Sequence, residues 1–207
     1  MHLHGRRNDG EAVNDRRARI ILGLATILAL AVPSAGRTQS TRAAAPDPLA
    51  TFKAGQWVKV VGTPQGASPT PCSELKLLTG DFLDDDWSIQ GTVNAVHADR
   101  REFTIGDCRI TVSDKTIYES PEESIKGFTS LRAGSYVDVE GTFLSSHTLM
   151  AAEVDDESDE AARQPKLRTR VEMVGKVERV DTRRRVVSVM GMEFQVTPKT
   201  QVRSVLH

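Results

Sequence analysis

What this 207-residue chain lacks most is the vocabulary of catalysis. It has no G-x-S-x-G elbow, no H-E-x-x-H pair and no Gly-rich phosphate loop. Of its five histidines, His2 and His4 lie at the extreme N-terminus, while His97, His147 and His207 fall in turns or at the C-terminus without metal-ligand spacing. No metal and no cofactor is therefore expected. An enzyme stays open only because a triad assembles in space rather than in sequence. There are only two cysteines, Cys72 and Cys108, and neither sits in a C-x-x-C motif, which argues against a redox catalyst. An even count permits one disulfide between them in an oxidising compartment, and equally two buried thiols. Long apolar runs are also missing. The longest, Ile20–Val32, has 13 residues, short of the roughly 20 that an ordinary transmembrane helix needs.

That run has the flanks of an export signal. Arg16, Arg17 and Arg19 precede it, Pro33 ends it, and Ser34-Ala35-Gly36 supplies small residues for cleavage. Residues 1–36 are read as a signal peptide, with an uncleaved membrane anchor as the other reading, and the protein as exported to a periplasmic or extracellular compartment. Arg16-Arg17 resembles a twin-arginine signal only loosely. Residues 37–48 are small, polar and Pro-containing, a disordered tether.

From residue 89 onward the apolar pattern has period 2, the mark of strands with one buried face. Gly91, Val93 and Ala95 are expected on one face and Gln90, Thr92, Asn94 and Val96 on the other. Short strands are expected at 89–96, 103–105, 108–112, 117–119, 136–142 and 149–154, with Gly106-Asp107 as a two-residue hairpin. No long helical period interrupts them. The fold class is all-β, a small closed or nearly closed β-barrel.

The pattern repeats. Residues 89–120 align without a gap on residues 173–204, 84 positions later, with nine of 32 identical. Chance gives about two. Residues 51–63 align on 130–142 at six of 13 positions. The chain thus reads as a rear half-module (49–83), a complete module (88–155), a charged linker (156–170) and a front half-module (171–207). A half-module cannot bury its own apolar face. The terminal halves are expected to associate into a second barrel, or to pair between chains in a swapped dimer. Charge follows the same division. Residues 74–160 carry seven basic and 20 acidic side chains, whereas 161–207 carry 11 basic and four acidic. Opposite signs favour docking of one barrel on the other, or belong to solvated faces with no partner.

The run Gly91-Thr92-Val93-Asn94-Ala95-Val96, then Val112 to Thr116, then Leu131-Arg132-Ala133-Gly134-Ser135-Tyr136-Val137-Asp138-Val139-Glu140-Gly141-Thr142 resembles the family catalogued as domain of unknown function 5666. The resemblance implies small exported bacterial β-barrels related to the OB-fold, often in tandem, with no assigned activity or catalytic residues. This chain departs from a plain tandem array because its outer copies are halves.

The candidate binding residues are few. Trp57 and Tyr136 occupy equivalent positions and could stack a sugar or base, or simply pack. Arg179, Arg183, Arg184 and Arg185, with Arg168, Arg170 and Lys176 nearby, form the strongest basic cluster, a candidate for anionic polymers or lipid headgroups. Exposure at a hairpin turn accounts for Arg183–Arg185 equally well. Nucleic acid fits poorly with an exported, net acidic mature chain. The runs Asp84–Asp86 and Asp155–Glu160 lack the spacing of an EF-hand loop and read as solvated charge. The function expected is a non-enzymatic binding or scaffold module of the cell envelope, its partner an anionic polymer, a lipid or a protein.

Overall fold

The computed structural model describes residues 47–66, 68–120, 125–145 and 147–204. The segment read as an export signal, all but the end of the segment read as a tether, and His207 lie outside these residues. Twelve strands follow in order: β1 (Trp57–Gly62), β2 (Thr70–Leu77), β3 (Trp87–His97), β4 (Glu102–Ile105), β5 (Cys108–Thr111), β6 (Ile117–Glu119), β7 (Tyr136–Ser145), β8 (Thr148–Asp156), β9 (Val171–Asp181), β10 (Val186–Val189), β11 (Met192–Gln195) and β12 (Gln201–Arg203).

Five of them close the central barrel. β3 pairs β4, β4 pairs β5, β5 runs parallel to β8, β8 pairs β7, and β7 returns to β3. The same ring forms a second time. β9 pairs β10, β10 pairs β11, β11 runs parallel to β2, β2 pairs β1, and β1 returns to β9. Even the accessory strand recurs, with β6 parallel to β8 and β12 parallel to β2. The two terminal half-modules thus complete one barrel within a single chain.

The equivalence reaches single residues. β3 has a bulge at Asn94, and β9 has one between Val177 and Arg179, at the repeat-equivalent Glu178. Each bulge residue accepts a hydrogen bond from a hairpin glycine, Asn94 from Gly106 N at 2.6 Å and Glu178 from Gly191 N at 3.1 Å. The bulge corrects the simple alternation expected along this strand. An extra residue reverses the phase, so Val96 rather than Ala95 turns to the core beyond it, as Val180 does in the second barrel. The glycines that open β7 and β1 have φ of 91° at Gly134 and 87° at Gly55, a left-handed turn that favours glycine.

The barrels join through their first strands. Ser88, Ile89, Gln90 and Gly91 pair antiparallel with Val174, Met173, Glu172 and Val171. Ile89 and Met173 are repeat-equivalent residues facing each other, so a local two-fold relates the barrels at this pair. Both are fully buried. Trp87 lies against Gly175, where an added Cβ would stand 2.6 Å from the indole Cε3. A backbone ladder and apolar packing therefore hold the barrels together. Among the described residues opposite charge adds one exposed pair across the join, Lys176 with Asp84 at 3.0 Å.

The segment read as a charged linker is ordered. It forms a short helix, α1 (Ser158–Arg163), and a 3-10 turn, Pro165–Thr169. Asp156 accepts a hydrogen bond from Ser158 N at 3.0 Å, Asp159 and Glu160 lie in the first turn, and Arg163 lies in the last. These charges suit the helix dipole. Within α1, Ala161 is fully buried.

Candidate binding surfaces

Folding spends most of the basic cluster on internal partners. Arg179 and Arg184 both pair with Glu193. Arg185 reaches Asp47 at 3.3 Å and the Val196 carbonyl at 3.3 Å. Arg168 donates to the Gly134 carbonyl at 2.7 Å, and Arg170 pairs with Glu172 at 3.4 Å. Arg183 alone of Arg183–Arg185 is exposed without an ion pair among the described residues. The strands explain this: Arg179 on β9 and Glu193 on β11 both neighbour Ser188 of β10.

The two aromatic candidates diverge. Tyr136 is 1% exposed, and burial pushes its hydroxyl up to about 12. Its backbone N–H donates to Ser158 Oγ at 3.3 Å, and its carbonyl accepts from Glu157 N at 2.9 Å. It is a core residue beneath α1, not a ligand platform. Trp57 is half-buried in an aromatic row. Its ring centroid is 5.0 Å from Phe82, stacked, and 5.0 Å from Trp87, which is 4.9 Å from Phe143. Lys176 Nζ stands over Trp57 at 5.3 Å, a cation–π contact. Phe82 and Lys176 occupy the positions that a stacked ligand would take.

Cys72 and Cys108 are free, buried thiols, one on β2 and one on β5, and the permitted disulfide is not made. The two strands belong to different barrels, and each thiol packs as a small apolar side chain in the core. Burial pushes both up to about 12, so neither is a thiolate nucleophile near neutral pH.

A feature that the linear sequence hides lies on the outer sheet face. The ladders β6–β8–β7–β3–β9–β1–β2–β12 form one continuous eight-stranded surface. At its first end Glu119, Asp155 and Asp138 stand side by side across three strands, with Glu153 and Glu140 in the next row. At the opposite end the repeat-equivalent positions hold Arg203, Lys76 and Lys59. Each carboxylate of that triplet is replaced by a cation under the local two-fold. Period-2 spacing in 138/140 and 153/155 is the signal that could have found the acidic rows, read against their counterparts in the repeat.

Crowding shows in the titration of this end. Burial, then the neighbouring Glu140, raises Asp138 to about 6, and burial, then Glu153 and Glu119, raises Asp155 to about 6. Carboxylate oxygens of Glu119, Glu153 and Asp155 lie within 4.8 Å of one another, close enough to share a cation, although exposed acidic groups are common without one. The raised acids stabilise the fold only while protonated. Their contribution is fully present below about pH 4 and is lost as pH rises through about 6. Thermal stability should therefore fall between pH 5 and pH 7. Asp138→Asn is expected to raise stability at pH 7 by about 1–2 kcal/mol, after discounting for partial solvent exposure, with no gain at pH 4. Melting temperatures of both proteins across that range check it, and a gain of equal size at pH 4 would contradict the assignment.

Residues 90–155 match the family model described as Domain of unknown function (DUF5666). The match falls on the central barrel, where the motifs carrying the resemblance lie. No curated protein and no solved structure matches the chain.

Proposed function

We propose that a chain whose central barrel is a domain of this family of unknown function works as a non-enzymatic binding or scaffold module of the cell envelope. The charge-divided sheet face carries the reading. Glu119, Asp155 and Asp138 at one end oppose Arg203, Lys76 and Lys59 at the other, on one surface eight strands wide. Such a face steers charged partners and fixes their orientation. Lys59 is held by Glu172, but Lys76 and Arg203 have no carboxylate partner among the described residues. The basic end suits an anionic polymer or lipid headgroup, and the acidic end a basic protein surface. Two sequence features support the envelope setting and the absence of catalysis: the apolar run behind Arg16, Arg17 and Arg19, and the lack of catalytic motifs. The protonated state of both thiols agrees. Docking through Arg179 and Arg183–Arg185 has less in its favour, because Arg179 and Arg184 share Glu193 and Arg185 is paired with Asp47, which offsets two of the four charges.

The test is a salt series with isolated bacterial envelopes and the purified protein. Binding is expected at low salt and should weaken as salt rises, since exposed charges are screened beyond about 10 Å at 0.1 M. Lys76→Glu with Arg203→Glu should abolish it if the partner is anionic, and Glu119→Lys with Glu153→Lys if the partner is basic. Binding that ignores salt, or survives both double variants, would remove the face from consideration.

A further inference from the structure

Barrel two fills a mouth that the described residues of barrel one leave open. In barrel one a cavity of about 570 Å³ lies between the β3–β4 turn and the segment leading into β7, lined by Val96, Ala98, Arg101, Phe128, Leu131 and Arg132. The volume is within the usual range for small-molecule sites, and an apolar floor with a few polar groups is their usual lining. Val96, Phe128 and Leu131 supply the floor. Arg101 and Arg132 supply positive charge. Arg132 Nη1 donates to the carbonyls of Thr129 and Leu131 at 2.5 and 2.7 Å and has no carboxylate partner among the described residues. Arg101 pairs with Asp114, whose side chain is 90% exposed. Exposed pairs are weak, so that guanidinium can be shared with a second anion.

The repeat shows what such a mouth accepts. Phe128, Leu131 and Arg132 correspond to Leu49, Phe52 and Lys53, and Val96 and Arg101 to Val180 and Arg185. The backbone agrees, with φ of 52° at Arg101 and 54° at Arg185, and a 3-10 turn at Phe128–Ser130 as at Pro48–Thr51. In barrel two Leu49 is fully buried in the core, and the Asp47 carboxylate reaches Arg185 at 3.3 Å. One short segment thus delivers a carboxylate to the arginine and an aliphatic group to the floor. In barrel one the position of Asp47 is held by Lys126, and Phe128 in place of Leu49 is only half-buried.

We propose that the mouth of barrel one binds a small amphiphile, a carboxylate on an apolar chain, supplying the two groups that Asp47 and Leu49 supply in barrel two. This does not depend on the charge-divided sheet face. Isothermal titration of the purified protein with sodium decanoate tests it, with acetate (head without tail) and decyltrimethylammonium (tail with the opposite charge) alongside. Decanoate should bind saturably, one per chain, and the other two should not. Arg132→Gln should weaken decanoate about tenfold, the loss of one charge-assisted contact. Ala98→Trp, on an exposed turn, should close the mouth and abolish binding, and Lys199→Gln, at an exposed position away from the mouth, should change nothing. Circular dichroism melts confirm that the variants fold, and Ala98→Trp decides the matter if Arg132→Gln does not. Equal binding of decyltrimethylammonium, equal binding of acetate, decanoate binding that survives Ala98→Trp, or no saturable decanoate binding would each overturn the proposal.

Discussion

Removing residues 171–207 is expected to unfold residues 57–77, more than 90 positions away in sequence. The deletion takes β9, which pairs β1 over six positions, and β11 and β12, which pair β2. β1 and β2 are then left as an isolated two-stranded ribbon, which is marginal at best in water. Their inward residues Val58, Val60 and Leu75, all fully buried, would face solvent. Amide exchange at these positions should accelerate by about a thousandfold or more, from core-like protection towards that of an open segment. Phe103 and Ile110 should stay protected, because β3, β4, β5, β8 and β7 still close their own ring. Barrel one should nevertheless lose some stability, since Ile89 gives up its partner Met173. Adding the 171–207 segment back as a separate peptide should restore protection to β1 and β2. Unchanged exchange at Val58 and Leu75 after the deletion would mean that barrel two is not built from the two halves.

Gly141→Ala is expected to be among the most damaging single substitutions in the chain. A Cβ there would lie 2.0 Å from the Met150 carbonyl oxygen and 3.0 Å from Ala152 N. Both are backbone atoms of β8, where the β7–β8 register shifts at a bulge. Backbone cannot rotate away as a side-chain tip can, so the ladder itself must open. A loss of about 3 kcal/mol or more is expected. Gly62 is the equivalent residue in barrel two and makes the informative control. A Cβ at Gly62 meets Thr70 Cγ2 at 2.7 Å and Phe194 Cε1 at 2.9 Å, both side-chain atoms. Gly62→Ala should therefore cost less, about 1–2 kcal/mol. Denaturant midpoints of the two variants give the comparison, and equal losses would show that the backbone approach at Gly141 does not govern its cost.

Several strands could be read directly from the residues. The alternation of Ile89, Gly91 and Val93 with polar neighbours specifies β3 up to Asn94, and Gly106-Asp107 specifies the β4–β5 hairpin, because burial on one face and turn geometry are local properties. The association of the two half-modules was legible for a different reason. Neither could bury its apolar face alone, and the repeat pointed to the other half as the missing partner, in the same chain or in a second one. Beyond Asn94 the alternation misled, since a bulge leaves no mark in composition.

The binding residues were harder to read. Clustering along the chain put Arg179 and Arg183–Arg185 forward, but Glu193, across the ladder from Ser188, pairs with two of them. Sequence adjacency says nothing about which charges a hairpin brings together. Tyr136 and Trp57 share a repeat position, yet one lies beneath α1 and the other beside Phe82, because the segments that cover them differ.

By itself, then, the sequence determined the strands, the repeat and the need for each half to find the other, since these follow from period, turn chemistry and unburied apolar faces. Tertiary structure alone decided the rest: the β3–β9 ladder centred on Ile89 and Met173, the opposition of Glu119, Asp155 and Asp138 to Arg203, Lys76 and Lys59, and the open mouth beside Arg101 and Arg132. Each of these depends on which distant segments share a surface, and only chain closure sets that.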